Sequence, residues 1–547
     1  MHSKLLFVIN SSIMKLKIPG ALFIAGIIIC NAAFAQLHID NAVFYIQSGG
    51  SVVVQGDVTS NVDIQGTGKL LLKGTATQNI DMGGFNIPNM ELDNAANAVL
   101  LSNAKISTLL LFKTGKIILG TKNLTISDTI KIIGPGVSKF IETNSTGVVF
   151  KTLTADITNA VIPVGLGTDY LPAFVTSTGT YLNANVGVKV LATADPNKPV
   201  MIADYLLTHW PVTKTGVTGT VQVKGQYSAT ANVSGTEANI RGYYFNGADW
   251  SSAGEAHDAA LHSVTATIGG ASGDIYGMDK FILSKTKVFL QAVYNTTTGV
   301  MADNLRKPTN LIPLSDPYRT APYNTSFIQV ADPIIETANA SVFADQPLTD
   351  NDIVDWVFIE LRSSTVSPGN TVLQTRSALL QRDGDVVDVD GKSPVTFNNV
   401  IDGNYTIAIR HRNHLGISTN PATNLIALSE ATSTAPLVDF TTATDANIYG
   451  PASAFSIALN GKNVLWGGNA NINGNVRYNG VANDKDYILL TALSNNIALV
   501  INNVYSAADL NMNRNVRYNG AANDKDFILL TVLGNNIAGI KLQALPN

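Results

Sequence analysis

Between Gln36 and about Ala155 every apolar run is too short to make a helix. Ser51–Gly56, Lys69–Gly74, Lys116–Gly120 and Asn123–Ser127 are rich in β-branched residues and are bounded by Gly or Asn, which predicts strands. The runs recur at loosely even intervals of roughly ten to twenty residues. A short strand buries its apolar face only against a neighbour, and coils that stack on one another provide that neighbour. Residues 36–155 are therefore expected to form a parallel β-solenoid-like region, with an antiparallel sandwich as the alternative.

Two further blocks follow. Residues 156–285 carry alternating strands such as Ala184–Leu191 and Gly219–Gln226, with Tyr243, Tyr244, Phe245 and Trp250 as a bulky core. That pattern predicts an antiparallel β-sandwich. Trp210 and Trp250 are read as core residues, with stacking on sugar rings as the alternative. Residues 286–445 open on a strand-like stretch, Val288–Asn295, and then cross a long connecting loop rich in Pro, Thr and Asn. Val354–Leu361, Ser377–Arg382, Val395–Phe397 and Tyr405–His411 are the next strands. The turn at Asp402–Gly403–Asn404 before alternating Ile407 and Ile409 is the habit of an Ig-like or prealbumin-like sandwich.

Residues 1–35 are expected to be a signal peptide. Lys15 and Lys17 precede a short apolar run, Ile18–Cys30, and Ala33-Phe34-Ala35 is a cleavage signal. The protein is thus expected to be secreted, extracellular or on the outer cell surface, with the periplasm as the alternative location. Cys30 is the only cysteine, so thiol catalysis and disulfides are excluded from the mature chain. No later apolar stretch is long enough for a transmembrane segment. A net charge of −4 without basic blocks argues against nucleic acid as a partner. Only 14% of residues are charged, which suits extended structure with amide-rich turns.

The last block, 452–547, repeats itself. Asn473–Ala498 and Asn513–Ala538 differ only at Gly474/Arg514, Val481/Ala521, Tyr487/Phe527, Ala492/Val532 and Ser494/Gly534. Each unit is a polar loop followed by Leu and Ile at helical spacing, Asp486–Asn495 and Asp526–Asn535, so a small α-helical module is expected. The loops have the spacing of a calcium site. Asn469, Asn471, Asn473 and the Asn475 carbonyl fill the ligand positions of the first loop. Asp509, Asn511, Asn513 and the Asn515 carbonyl fill those of the second. Arg477 and Arg517 stand where a further ligand belongs, Gly480 and Gly520 where a bidentate acid belongs, and Arg514 replaces the turn glycine. Asp484, Asp486, Asp524 and Asp526 restore the missing charge if they fold back. The alternative is that Asn side chains and Gly turns hold the loops without metal.

The duplicated loop-helix unit resembles dockerin modules over about Asn463 to Gly539. That resemblance implies calcium as a cofactor and a cohesin-like or self-docking partner for the tail. More broadly, Val161–Gly165, Asp355–Arg362, Gln381–Gly391 and Arg410–His414 resemble secreted multidomain surface proteins of Bacteroidetes with a hemagglutinin or adhesin-type label. That resemblance implies binding of a cell-surface glycan or protein.

Catalytic signals are weak. Asp383, Asp385, Asp388 and Asp390 are read as a solvated hairpin, against a metal or acid/base pair. His411 and His414 are expected on opposite faces of a strand, which argues against zinc. No G-x-S-x-G, H-E-x-x-H or P-loop occurs. The sequence therefore predicts a non-enzymatic adhesion or binding protein. The rivals are a polysaccharide-degrading enzyme or its noncatalytic scaffold component, and a structural extracellular matrix protein.

Overall fold

The computed structural model describes residues 36–228, 231–332, 334–344, 349–365, 370–430, 435–451, 454–458 and 460–546. The expected signal peptide lies outside the described residues. The chain is mainly β and divides into two units. One ends at Asp279 and excludes 199–202; the other comprises 199–202 and 280–547.

The first unit begins as a parallel solenoid. One face stacks Leu37–Ile39, Val58–Ser60, Gln78–Asp81, Ala98–Leu100, Ile117–Ile118, Ile141–Glu142 and Val164–Leu166, each parallel to the next. A second face stacks Ser51–Val54, Lys69–Leu72, Asn86–Asp93 and Ala104–Thr114 in the same sense. In register, Val54 meets Leu72, Leu72 meets Leu92 and Leu92 meets Phe112, and all four are buried. Each coil thus buries its apolar residues on equivalents one coil away.

The Asn and Gln at the corners have a matching role. Gln78 Nε2 donates to Val54 O and Gly56 O of the previous coil, at 3.0 and 2.6 Å. Asn103 Oδ1 accepts from Asn123 N at 2.9 Å, and Asn123 Oδ1 accepts from Val148 N at 3.0 Å. Side-chain amides satisfy backbone groups that the turns leave without ladder partners.

The coils run on past the expected boundary at 155. Parallel stacking of the second face stops where Val149–Leu153 pairs antiparallel with Ala173–Val188. That long strand is antiparallel to Trp210–Gln226 from Ala173↔Gly225 to Val188↔Val212, one long pair where shorter strands were expected. Ser263–Thr267, Ser272–Asp279 and Ile240–Phe245 extend the antiparallel region. Trp210 and Trp250 are buried, and their indole N–H groups donate to Leu171 O and Asn197 O at 3.0 and 3.1 Å. Both are core residues, as expected.

In the second unit a sheet runs in the order Val395–Asn398, Phe281–Lys287, Asp385–Val387, Val372–Gln381, Ile353–Arg362, Gly403–Arg410, Ile417–Ser418. Every residue of Ile353–Arg362 is buried, on both faces. Alternation predicts one covered face. The difference comes from the described residues of 288–344, which pack over the sheet: Tyr318 Oη donates to Trp356 O and Trp356 Nε1 to Pro313 O, both at 2.8 Å. Val288–Asn295, expected as a strand, therefore forms turns, while the strand lies just before it at Phe281–Lys287. The acidic run is likewise not a solvated hairpin. Asp388 is buried against Arg376 at 2.9 Å, and Lys287 lies 2.9 Å from Asp385 and 3.6 Å from Asp383.

Gly225 fixes one close approach. A Cβ there would lie 2.4 Å from the Trp210 ring. Gly225→Ala is expected to destabilise the first unit by about 1–3 kcal/mol through overpacking. Denaturant melts followed by near-ultraviolet dichroism check this, and an unchanged midpoint refutes it.

Candidate functional site

The two tail repeats fold as one module. The helical segments start at Asp484 and Asp524, where Asn483 and Asn523 side chains accept from the Asp486 and Asp526 amides at 2.8 Å. They continue as wide π-type turns over Tyr487–Ala492 and Phe527–Val532, with Leu493 N donating to Ile488 O five residues back. They stop short of the expected Asn495 and Asn535. Ser494 and Asn495 take positive φ and end the first. Val476/Val516, Ile488/Ile528 and Leu493/Leu533 share one core. Asn475–Arg477 pairs with Ile540–Leu542, and Asn515–Arg517 with Val500–Asn502, so each loop strand is completed by the segment after the other repeat's helix.

The loops close around a carboxylate. Asp484 Oδ1 accepts from Ala470 N at 2.8 Å and Asn471 N at 3.5 Å, and Oδ2 from Arg477 N at 2.9 Å. Asp524 does the same with Leu510 N and Arg517 N, at 2.8 and 2.9 Å. Asp509 adds a second buried acid to the second loop, accepting from Asn513 N and Arg514 N at 3.0 and 2.9 Å. Asn469, Asn471 and Asn473 face the same turn. Asn473 N donates to Asn469 Oδ1 and Asn471 Oδ1, and the Asn471 and Asn473 amides donate to Ala482 O. Asn511 and Asn513 repeat this on Ala522 O. Asn475 and Asn515 begin the loop strands, opposite Leu542 and Asn502.

Asp486 and Asp526 do not fold back. They accept from Asn483 and Asn523 at 2.7 Å and pair with Lys485 and Lys525, so they belong to the helix caps. Arg514 points out of its loop to Lys307 O, Asn304 O and Thr309 Oγ1. Arg477 turns onto Asn475, and Arg477 and Tyr478 are half-buried.

Burial raises these acids. Asp484 is pushed up to about 7, against the Arg477, Asn471 and Ala470 amides that favour its charge. Asp524 is pushed up to about 8 by burial with a further push from Asp509, and Asp509 to about 6 by burial against the pull of Arg412. The second loop thus gathers two carboxylates and two side-chain amides, and the first gathers one carboxylate and three. Hard cations take carboxylate oxygens first, so the second loop suits a divalent ion better.

The tail joins the sheet through Arg410–His414. Asp355, fully buried, accepts from His411 Nε2 at 3.0 Å, Arg412 Nε at 2.9 Å and Tyr505 Oη at 2.7 Å. Burial opposes its charge, but Arg412, His411 and Tyr505 outweigh it and hold Asp355 at about 2. His411 and His414 lie with rings 4.9 Å apart, not on opposite faces. The strand ends at Arg410, so period-two spacing does not apply beyond it. Ala292 N donates to His414 Nε2 at 3.3 Å, which leaves the proton on Nδ1, and burial lowers the pKa of both rings, His414 the further.

A cleft of about 900 Å³ opens at one end of the sheet. Gln329, Gln374, Asn398, Asn404 and Tyr405 line it, with Leu373 and Ile401 exposed beside them. Gln374 Nε2 donates to Ala331 O and Asn398 Oδ1, at 2.9 and 2.7 Å. Gln374 Oε1 and Gln329 Nε2 are buried and have no hydrogen-bond partner. The one carboxylate of the lining, Asp332, is 2.8 Å from Arg319. Sequence reading missed this cleft, whose residues come from separate turns and strand ends with no shared motif. Comparison of the chain with family models, curated proteins and solved structures gives no match.

The raised acids set a pH dependence. A carboxylate with folded pKa above its unfolded value of about 3.9 stabilises only while protonated in the fold. For Asp484 and Asp524 the contribution is full below about 4 and is lost as pH rises through 7 and 8. Hydrogen-exchange protection at Ala470, Leu510 and Arg517 is therefore expected to fall between pH 6.5 and 8.5 in calcium-free buffer. Protection that stays flat or rises contradicts it.

Proposed function

We propose that the protein is a secreted, non-enzymatic binding protein of a bacterial surface that takes a glycan in the cleft of its second unit. The observation that carries this reading is the amide-lined cleft with a buried donor, Gln329 Nε2, and a buried acceptor, Gln374 Oε1, both without partners. A buried polar atom without a partner is costly, and a sugar hydroxyl both donates and accepts. Leu373 and Ile401 offer apolar contact for the C–H face of a sugar ring. Glycoside hydrolysis needs a pair of carboxylates, and Asp332 is already paired with Arg319. In this reading the antiparallel blocks are sandwich domains, the second of which carries the cleft, and the tail is a dockerin-like module for a cohesin-like or self-docking partner. The recurrent exposed pairs Leu490/Leu530 and Ile497/Ile537 are its contact residues.

Glycan-array screening of the mature chain, followed by calorimetry on the hits, tests the reading. Gln329→Ala is expected to weaken binding about tenfold with little change in the melting transition, while Gln374→Ala weakens it as much and also lowers the transition, because Ala331 O and Asn398 Oδ1 lose their donor. Release of reducing sugar would replace this reading with the enzyme. Absence of saturable glycan and cell binding would replace it with the structural matrix protein.

Calcium belongs to the second loop in this reading, with Asp509 and Asp524 as its charged ligands and Asn511, Asn513 and the Asn515 carbonyl around them. An ion there displaces protons, so its effect grows with pH. Added calcium is expected to restore protection at Leu510 and Arg517 more at pH 8 than at pH 6.5. No heat and no restored protection at millimolar calcium sets the ion aside.

A further inference from the structure

We infer that Asp195, His209 and Asp274 form a binding site for a first-row divalent cation, zinc being the best fit, in the first unit. Their ligand atoms all lie within 4.8 Å of one another. The inference does not rest on the glycan reading, since none of the three lines the glycan cleft.

Each residue is presented by rigid backbone. His209 precedes the long strand Trp210–Gln226, and its backbone N and O bond to Leu191 at 3.1 and 3.0 Å. Asp274 sits in Ser272–Asp279, in register with Pro211 on one side and Phe245 on the other. Asp195 heads a tight turn, with its Oδ1 accepting from Asn197 N at 2.8 Å and its carbonyl from Lys198 N at 3.1 Å. The three come from separate segments and carry no sequence motif.

Two observations independent of the clustering point to a ligand. The first is that Asp195 is 3% exposed and its Oδ2 is buried without a hydrogen-bond partner. A carboxylate oxygen taken out of water with nothing to accept from is costly unless a cation meets it. The second is the histidine tautomer. His209 Nδ1 lies 2.8 Å from Thr193 O, a carbonyl that can only accept, so Nδ1 carries the proton. Nε2 is then the basic nitrogen, on a buried imidazole oriented by its other N–H, as metal-binding histidines are. The T-shaped contact of His209 with Tyr276, at 6.3 Å, fixes the ring plane further.

The donor set selects the ion. One imidazole with two carboxylates is a three-ligand set with room for a fourth, which suits zinc, and manganese next. Calcium takes six to eight oxygens and has no use for the imidazole. Asp274 also lines a cleft of about 340 Å³ with Lys189, Thr213, Asn246 and Ser272, which gives the ion an entry path.

The test uses the mature chain stripped with EDTA and titrated with zinc chloride or manganese chloride. Equilibrium dialysis with elemental analysis is expected to find one zinc per chain and a zinc-dependent rise in the melting transition. Asp195→Asn, His209→Gln and Asp274→Asn should each weaken binding about 100-fold or more. Asp274 is only half-buried, so its variant keeps the test open if the other two fail to fold. X-ray absorption of the zinc-loaded parent needs no variant: one imidazole nitrogen at about 2.0–2.1 Å with oxygen neighbours supports the site. Manganese bound in place of zinc with the same variant dependence also supports it. No metal bound at millimolar concentration, binding unchanged in all three variants, or a spectrum with no imidazole or with two, overturns it.

Discussion

The second unit depends on one buried carboxylate. Asp355 sits near the start of the fully buried strand Ile353–Arg362 and takes hydrogen bonds from Trp356 N, His411, Arg412 and Tyr505. These partners come from the sheet, from the segment after Arg410 and from the linker between the tail repeats. Arg412 also stacks on Tyr505 at 4.5 Å and donates to Ser506 O. A buried pair of this kind adds little over an apolar substitute, but removing one partner costs about 3–5 kcal/mol because the other charge is left bare. The charge therefore fixes geometry more than it adds stability. Asn413 extends the same joint, accepting from Gly468 N and Asn469 N at 3.1 Å and donating to Asp509 O at 2.7 Å. Both tail loops are held at residues where the ligand positions begin.

A second buried network explains how the sheet keeps both faces dry. Arg376, with no exposure, reaches Glu336 at 3.0 Å and Asp388 at 2.9 Å. Arg319 reaches Asp332 and Asp316 at 2.8 and 3.2 Å. Glu336, Asp332, Asp316 and Arg319 all lie in the segment that covers the sheet, so ion pairs pin an irregular stretch that has no ladder of its own. Aromatic packing completes it, with Tyr318 against Phe327 and Phe358 at ring distances of 4.4 and 5.6 Å.

Much of the solenoid was legible because its information is local. Lys69–Leu72 declares a strand by length and composition, and even spacing implies stacking. The duplication of the tail was legible for the same reason, while the core its equivalent residues share was not. What escaped was contact between distant segments. Tyr505 and Asp355 are 150 residues apart and share no motif. His411 and His414 were assigned to opposite faces by extending a strand that stops at Arg410, beyond which the chain turns. Ile353–Arg362 gave no sign that both faces are covered, since the cover is a Pro- and Asn-rich segment that resembles any loop. Asp484 was one of four acids offered to the loops, and only the fold separates it from Asp486, two residues on and committed to a cap.

The abundance of side-chain amides carries little information about ligands. In the solenoid Gln78, Asn103 and Asn123 serve the backbone, and in the tail Asn471 and Asn473 do the same on Ala482 O. An Asn at a calcium-loop spacing is therefore expected in this chain whether or not an ion binds, because tight turns with spare backbone carbonyls already call for it. The accounting of partners shows which polar groups the fold already serves. Asp484 accepts three backbone N–H groups and is accounted for by the fold. Asp195 Oδ2, Gln329 Nε2 and Gln374 Oε1 are equally buried and have none. In the two proposals a ligand supplies the partner that each of those three atoms lacks.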